Sequence, residues 1–238
     1  MKEVDFNRDL GELGSGQRDS DIQILLSANS AFESIPGSHF VLTGSYAVET
    51  LTGVTVNHND MDANVLTDNL KRDLPLAVSA LAGKKNFVPF RRTGTRLEYD
   101  VLSQSLPLAP RRLELQFIEV VGLVKIGDKL EFFLKPDDNG KYARVPTVTF
   151  PLLDSVGREN LFRIKSLPYA IATWAIRISG FAKNQKRSIE DRDLDHLRLL
   201  LNMRYEEEEV IRAINNHPQA PNGLSANYIL DKARQMVI

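Results

Sequence analysis

The sequence predicts an α+β protein: an N-terminal mixed sheet flanked by helices, followed by a C-terminal helical bundle. Three observations predict it. Residues 112–124 (RLELQFIEVVGLV) alternate polar and apolar with period two, the pattern of a strand with one buried face. Beyond Asn160 the apolar spacing becomes helical over residues 161–180, 190–204, 206–215 and 225–237. Residues 40–65 (FVLTGSYAVETLTGVTVNHNDMDANV) read as strand, turn, helix and second strand. A boundary near residues 151–158 gives two domains, 1–154 and 155–238.

The elements follow in order. Residues 1–20 read as a lead-in. Gly11, Gly14 and Gly16 approach a dinucleotide-binding spacing, but no strand precedes them, so they read as turn residues. Residues 21–34 form a helix with an apolar face of Ile22, Leu25, Ala28 and Phe32, capped by Ser20 or Asp21 and stopped by Pro36-Gly37. Residues 40–42 are a short buried strand and 45–51 a helix ending near Gly53. Residues 61–66 make the neighbouring strand. Residues 68–81 make a helix on Leu70, Leu74, Ala77 and Leu81, with Pro75 blurring its start. Strands are expected at 87–90, 96–102, 112–124, 129–134 and 147–150, with Asp137-Asp138-Asn139-Gly140 as a hairpin turn.

Composition narrows the function. The 238 residues carry a net charge of −1, so bulk charge does not mark a polyanion binder. There are no cysteines, which excludes disulfides, zinc–thiolate centres and thiol nucleophiles. No apolar run reaches the roughly 20 residues of a membrane span. The first residues are acidic and polar, without the basic start and apolar core of a signal peptide. A soluble, cytoplasmic protein is expected.

Asp60 and Asp62 are the residues that carry chemistry. Two apart on a strand, they point to one side. Clustered carboxylates repel, and a hard divalent cation that also bridges to phosphates relieves the repulsion. Gly44-Ser45, opening a helix, offers backbone N–H groups and a positive dipole end to a phosphate. Asp-x-Asp and Gly-Ser are common singly; their succession within one strand–helix–strand stretch is the informative feature.

That succession, Leu42-Thr43-Gly44-Ser45 then Asp60-Met61-Asp62, resembles the nucleotidyltransferase superfamily with the polymerase-beta-like fold. Within it the chain is most similar to the AbiEii/AbiGii (MenT-like) toxins, through Ala47, Leu51, Gly53, the Asp pair, and a later run of Lys165, Arg177, Arg192-Asp193 and Asp195-His196-Leu197. Trp174 takes the place of Lys165 in a shifted alignment. Where the family has a basic residue before the pair, Asn57-His58-Asn59 stands, with His58 the nearest substitute.

The resemblance implies a metal-dependent enzyme that transfers NMP from an NTP to a hydroxyl, with Mg²⁺ or Mn²⁺ on Asp60 and Asp62. The acceptor it implies is an RNA 3′ end, a tRNA above all, and the protein would be the toxin of a toxin–antitoxin pair with a cognate antitoxin. A third metal ligand is expected on a neighbouring strand, from Glu98, Asp100, Glu114 or Glu119. Glu114 is preferred because it shares a face with Gln116 and Ile118, opposite Leu113, Leu115 and Phe117. Gly44, Ser45 and Lys165 would bind the nucleotide, and Asp193 would orient the lysine or act as general base. Lys84, Lys85, Arg91, Arg92, Arg96, Arg111 and Arg112 form a basic stretch suited to a phosphate backbone or to a solvated face. Transfer to a small molecule or protein, and a non-catalytic RNA- or partner-binding module, are the alternatives.

Overall fold

Contacts divide the chain between two units, Met1–Glu119 with Phe150–Arg163, and Val120–Thr149 with Ile164–Ile238. The structure, a computed structural model, describes residues 15–56, 58, 60–82, 84, 87–101, 111–127, 129–135, 142–181 and 188–237. The single boundary drawn at residue 154 differs from this division. Residues 120–149 go with the helical half, and residues 150–163 return to the first unit. The strand Glu159–Lys165 lies beside the strand Ser38–Thr43 in the sheet order, a long-range neighbour that no composition change marks.

In the first unit, helix α1 (Ser15–Glu33) leads into strand β1 (Ser38–Thr43), helix α2 (Gly44–Thr52) and strand β2 (Asp60–Thr67). Helix α3 (Leu70–Ala82) and strands β3 (Phe87–Thr93) and β4 (Arg96–Val101) follow, then the first half of β5 (Arg111–Ile126). β1 pairs antiparallel with β2, β2 parallel with β5, and β5 antiparallel with β4, which pairs with β3. The sheet is therefore mixed. Alternation along each strand decides its faces: Met61, Ala63, Leu113, Leu115 and Phe117 are buried, while Asp60, Asp62 and Glu114 lie half-buried on the other side. The core is aromatic where α1 lies on the sheet. Phe32 stacks on Phe40 at 6.0 Å and meets Phe117 edge-on at 5.9 Å.

The second unit begins where β5 changes partners. Its second half pairs antiparallel with β6 (Lys129–Leu134), and β6 with β7 (Arg144–Leu153). Residues 150–163, the end of β7 and most of β8 (Glu159–Lys165), belong to the first unit; from Ile164 the chain is in the second unit again and continues into α4 (Leu167–Ile178), α5 (Asp191–Leu201), α6 (Glu207–Asn215) and α7 (Ala226–Val237). α4 is apolar nearly all round (LPYAIATWAIRI), and such a helix belongs at the centre of a bundle. It packs against α5, α6 and α7 accordingly.

Several elements depart from the sequence reading. Residues 161–165, expected to begin a long helix, are strand. Phe162 and Ile164 are buried while Leu161 is exposed, a period of two that helical averaging over 161–180 conceals. The expected lead-in is already helical from Ser15. Asp21 does not cap α1 but lies buried inside it. Pro75 sits inside α3 without ending it, the helix being opened by Asn69, whose side chain accepts from Arg72 N at 3.0 Å. The 137–140 turn, Gly11, Gly14 and Lys85 lie outside the described residues. No described helix is long and apolar enough to cross a membrane.

Candidate active site

Register builds the site. Asp62 lies opposite Thr43 on β1 and opposite Glu114 on β5, and Asp60 lies opposite Arg112. The strand alternation of β2 and β5 then puts Asp60, Asp62 and Glu114 on one face. Each offers a carboxylate oxygen, and these oxygens lie within 4.8 Å of one another. Thus the structure brings together the three carboxylates that the sequence proposed as metal ligands.

The start of α2 closes one side of this cluster. Thr43 makes no side-chain cap bond there, so the first-turn N–H groups of Gly44 and buried Ser45 remain the helix's donor end. Gly44 has φ +63, and a Cβ on it would lie 3.0 Å from Asp62 Cβ and closer still to the carboxylate. Only glycine satisfies both the left-handed backbone and this approach. The donor turn and the carboxylates are therefore in contact.

Charge on the face is dense. Burial, with the charges of Asp60 and Glu98 adding, holds the Glu114 carboxyl above the usual range, against the pull of Arg96 and Arg112. Arg96 forms ion pairs with both Glu98 and Glu114. A set of oxygen donors without imidazole or thiolate fits Mg²⁺ or Mn²⁺ rather than a softer metal. Mutual repulsion is what such a cation would relieve.

His58, the nearest substitute for the family's basic residue, is buried. Its ring stacks on Tyr46 at 3.5 Å and 4°, and its Nε2 lies 2.7 Å from Glu49 Oε2. Glu49 also pairs with Arg18, whose Nη2 donates to the Leu153 carbonyl at 2.6 Å. Tyr46 donates to Asp21 at 2.7 Å, and Asp21 pairs with Arg111 at 2.8 Å. This buried network ties α1, α2 and the loop before Asp60 together. Sequence reasoning missed it because its members lie up to 135 residues apart.

The remaining candidates belong to the second unit. Lys165 ends β8, its ammonium 5.6 Å from the Tyr169 ring centre. Burial pushes it down to about 8, and among the described residues it forms no ion pair with a carboxylate. Beside it His217 is held near 3 by burial and by the lysine's charge, so this ring is neutral at working pH. Asp193 is buried at the start of α5. It accepts from Arg177 Nη2 at 2.9 Å and from the Glu190 backbone N–H at 3.1 Å, one half of a capping box. Trp174 packs edge-on against His196 at 4.9 Å.

No protein-family model and no characterised protein sequence matches the chain. Solved structures do. The nucleotidyltransferase ANT(2″)-Ia in complex with adenylyl-2″-tobramycin aligns over 92% of this chain and 99% of its own, with TM-score 0.50 at 9% identity. A solution structure of the antibiotic-resistance factor ANT(2″)-Ia aligns over 83% and 91%, with TM-score 0.47 at 12% identity. The Cid1 poly(U) polymerase aligns over 43% of this chain and 30% of its own, with TM-score 0.30 at 16% identity. In fold, over nearly its whole length, the chain is similar to a nucleotidyltransferase.

Proposed function

We propose that the protein is a metal-dependent nucleotidyltransferase that transfers NMP from an NTP to an acceptor hydroxyl. The observation that carries this is the Asp60–Asp62–Glu114 cluster set against the N-terminal turn of α2. Asp60, Asp62 and Glu114 would hold Mg²⁺ or Mn²⁺, which when bound neutralises phosphate charge and lowers the pKa of an oxygen nucleophile. The N–H groups of Gly44 and Ser45 would hold phosphate oxygens. The motif resemblance alone makes Lys165 a candidate for the triphosphate. The acceptor oxygen bonds to the α-phosphorus, the bond to the bridging oxygen breaks, pyrophosphate leaves, and the hydroxyl proton passes to a carboxylate of the cluster. Asp193 is assigned a positioning part, since Arg177 and the α5 terminus already occupy it.

For the acceptor we propose an RNA 3′ end, a tRNA, and for the protein the toxin role with a cognate antitoxin. The AbiEii-like motif run supports this, as do the exposed Arg91 and Arg92 on β3. A small-molecule hydroxyl is the second reading, favoured by the whole-length fold likeness to a protein solved with adenylyl-2″-tobramycin. The test is incubation with each labelled NTP, Mg²⁺ and total tRNA. RNase-sensitive label dependent on Asp60 is expected. RNase-resistant label selects the second reading. No transfer with any NTP, identical in Asp60→Ala, refutes both.

A further inference from the structure

We propose that Arg96 competes with the divalent cation for Glu114: its guanidinium pairs with that carboxylate and must leave when the carboxylate cluster is loaded. This rests on the metal reading above. Glu98 and Glu114 are directly opposite in the β4–β5 register. Like charges so placed repel, and both side chains are largely withdrawn from water, at 10% and 18% exposure. Arg96, two residues before Glu98 on the same face, resolves the conflict. Its Nε lies 3.2 Å from Glu98 Oε1, and its Nη2 pairs with Glu114 Oε2.

That same Glu114 carboxylate is the third member of the cluster. A bound metal would use the carboxylate lone pairs and supply the positive charge that the guanidinium otherwise provides. Two cations sharing one carboxylate beside Asp60 would repel. At 45% exposure the Arg96 side chain has room to turn outward. Once released it stays beside the site, tethered by Glu98, with its fork free for a phosphate. Metal entry is thereby coupled to the release of a phosphate-binding group. The competing account makes Arg96 a fixed counter-ion of the Glu98–Glu114 pair that metal leaves in place.

Calorimetric titration of Mn²⁺ into the full chain without nucleotide separates the two, with Arg96→Gln beside the wild type. Arg96→Gln is expected to bind Mn²⁺ about fivefold tighter, the range for a half-exposed pair that must be broken. Equal or weaker binding overturns the proposal. The Arg96 Nε–H signal of the wild type, followed by NMR, is expected to shift on Mg²⁺ saturation. An unmoved signal overturns the proposal even where Arg96→Gln does not fold. Mn²⁺ binding at equal affinity sinks only this inference, whereas no Mn²⁺ binding by either protein sinks the metal reading and this inference with it.

Discussion

Gly44→Ala is the sharpest perturbation of the site, because it adds one methyl group at the contact between the first turn of α2 and the carboxylates. Two costs are involved. Alanine at φ +63 pays the left-handed penalty of about 1–2 kcal/mol. The new Cβ would also stand 3.0 Å from Asp62 Cβ, so rotating the carboxylate away does not suffice and the strand or the turn must shift. Overpacking of that kind costs about 1–3 kcal/mol. Together about 3 kcal/mol is expected, which for a chain of this size lowers Tm by roughly 6–12 °C. Gly53→Ala is the matched control: φ is +70, yet nothing lies within 4 Å of the added Cβ. Its cost is the backbone penalty alone, about 1 kcal/mol or roughly 2–4 °C. Thermal unfolding by circular dichroism reads both. Mn²⁺ titration should show Gly44→Ala losing at least about tenfold in affinity while Gly53→Ala loses none. Equal Tm losses, or undiminished Mn²⁺ binding by Gly44→Ala, would refute the close approach of turn and carboxylate.

Two further predictions concern the second unit. Asp193→Ala removes the Arg177 pair and half the α5 capping box at once, and should cost about 2–4 kcal/mol in urea unfolding. Lost transfer activity with unchanged stability would instead make Asp193 a general base. Lys165 is charged below its folded pKa of about 8, against an ordinary value of 10.5. Between those values the unfolded chain binds more protons, so stability should rise as pH increases through that window. Lys165→Met should flatten the rise and, after allowance for partial exposure, gain about 1 kcal/mol at pH 7. NTP affinity in the wild type should fall over the same window. A pH-independent wild type would refute the burial of this charge.

The legible parts of the fold were those with a strong local period. β5 shows its alternation over Leu113, Leu115 and Phe117, and the same alternation pointed to Glu114 before its neighbours were known. β8 was illegible because seven residues of alternation run straight into the apolar α4, so the helical signal swamps the strand. The division of the chain was illegible for another reason. Residues 150–163 join the first unit through contacts that leave no trace in composition.

The site divides the same way. By itself the sequence determined that Asp60 and Asp62 share a strand face and that a glycine turn opens the helix before them, because side-chain alternation and backbone freedom are local properties. Only the tertiary structure decided that Glu114, rather than Glu98, Asp100 or Glu119, joins the pair. The parallel β2–β5 register sets Asp62 against Glu114, and register is a long-range choice made by the buried faces of both strands. Tertiary structure likewise decided that His58 is held by Tyr46 and Glu49, that Asp193 is engaged by Arg177, and that a guanidinium from β4 lies on the third carboxylate. Which of these groups meet depends on strands and helices far apart in the chain.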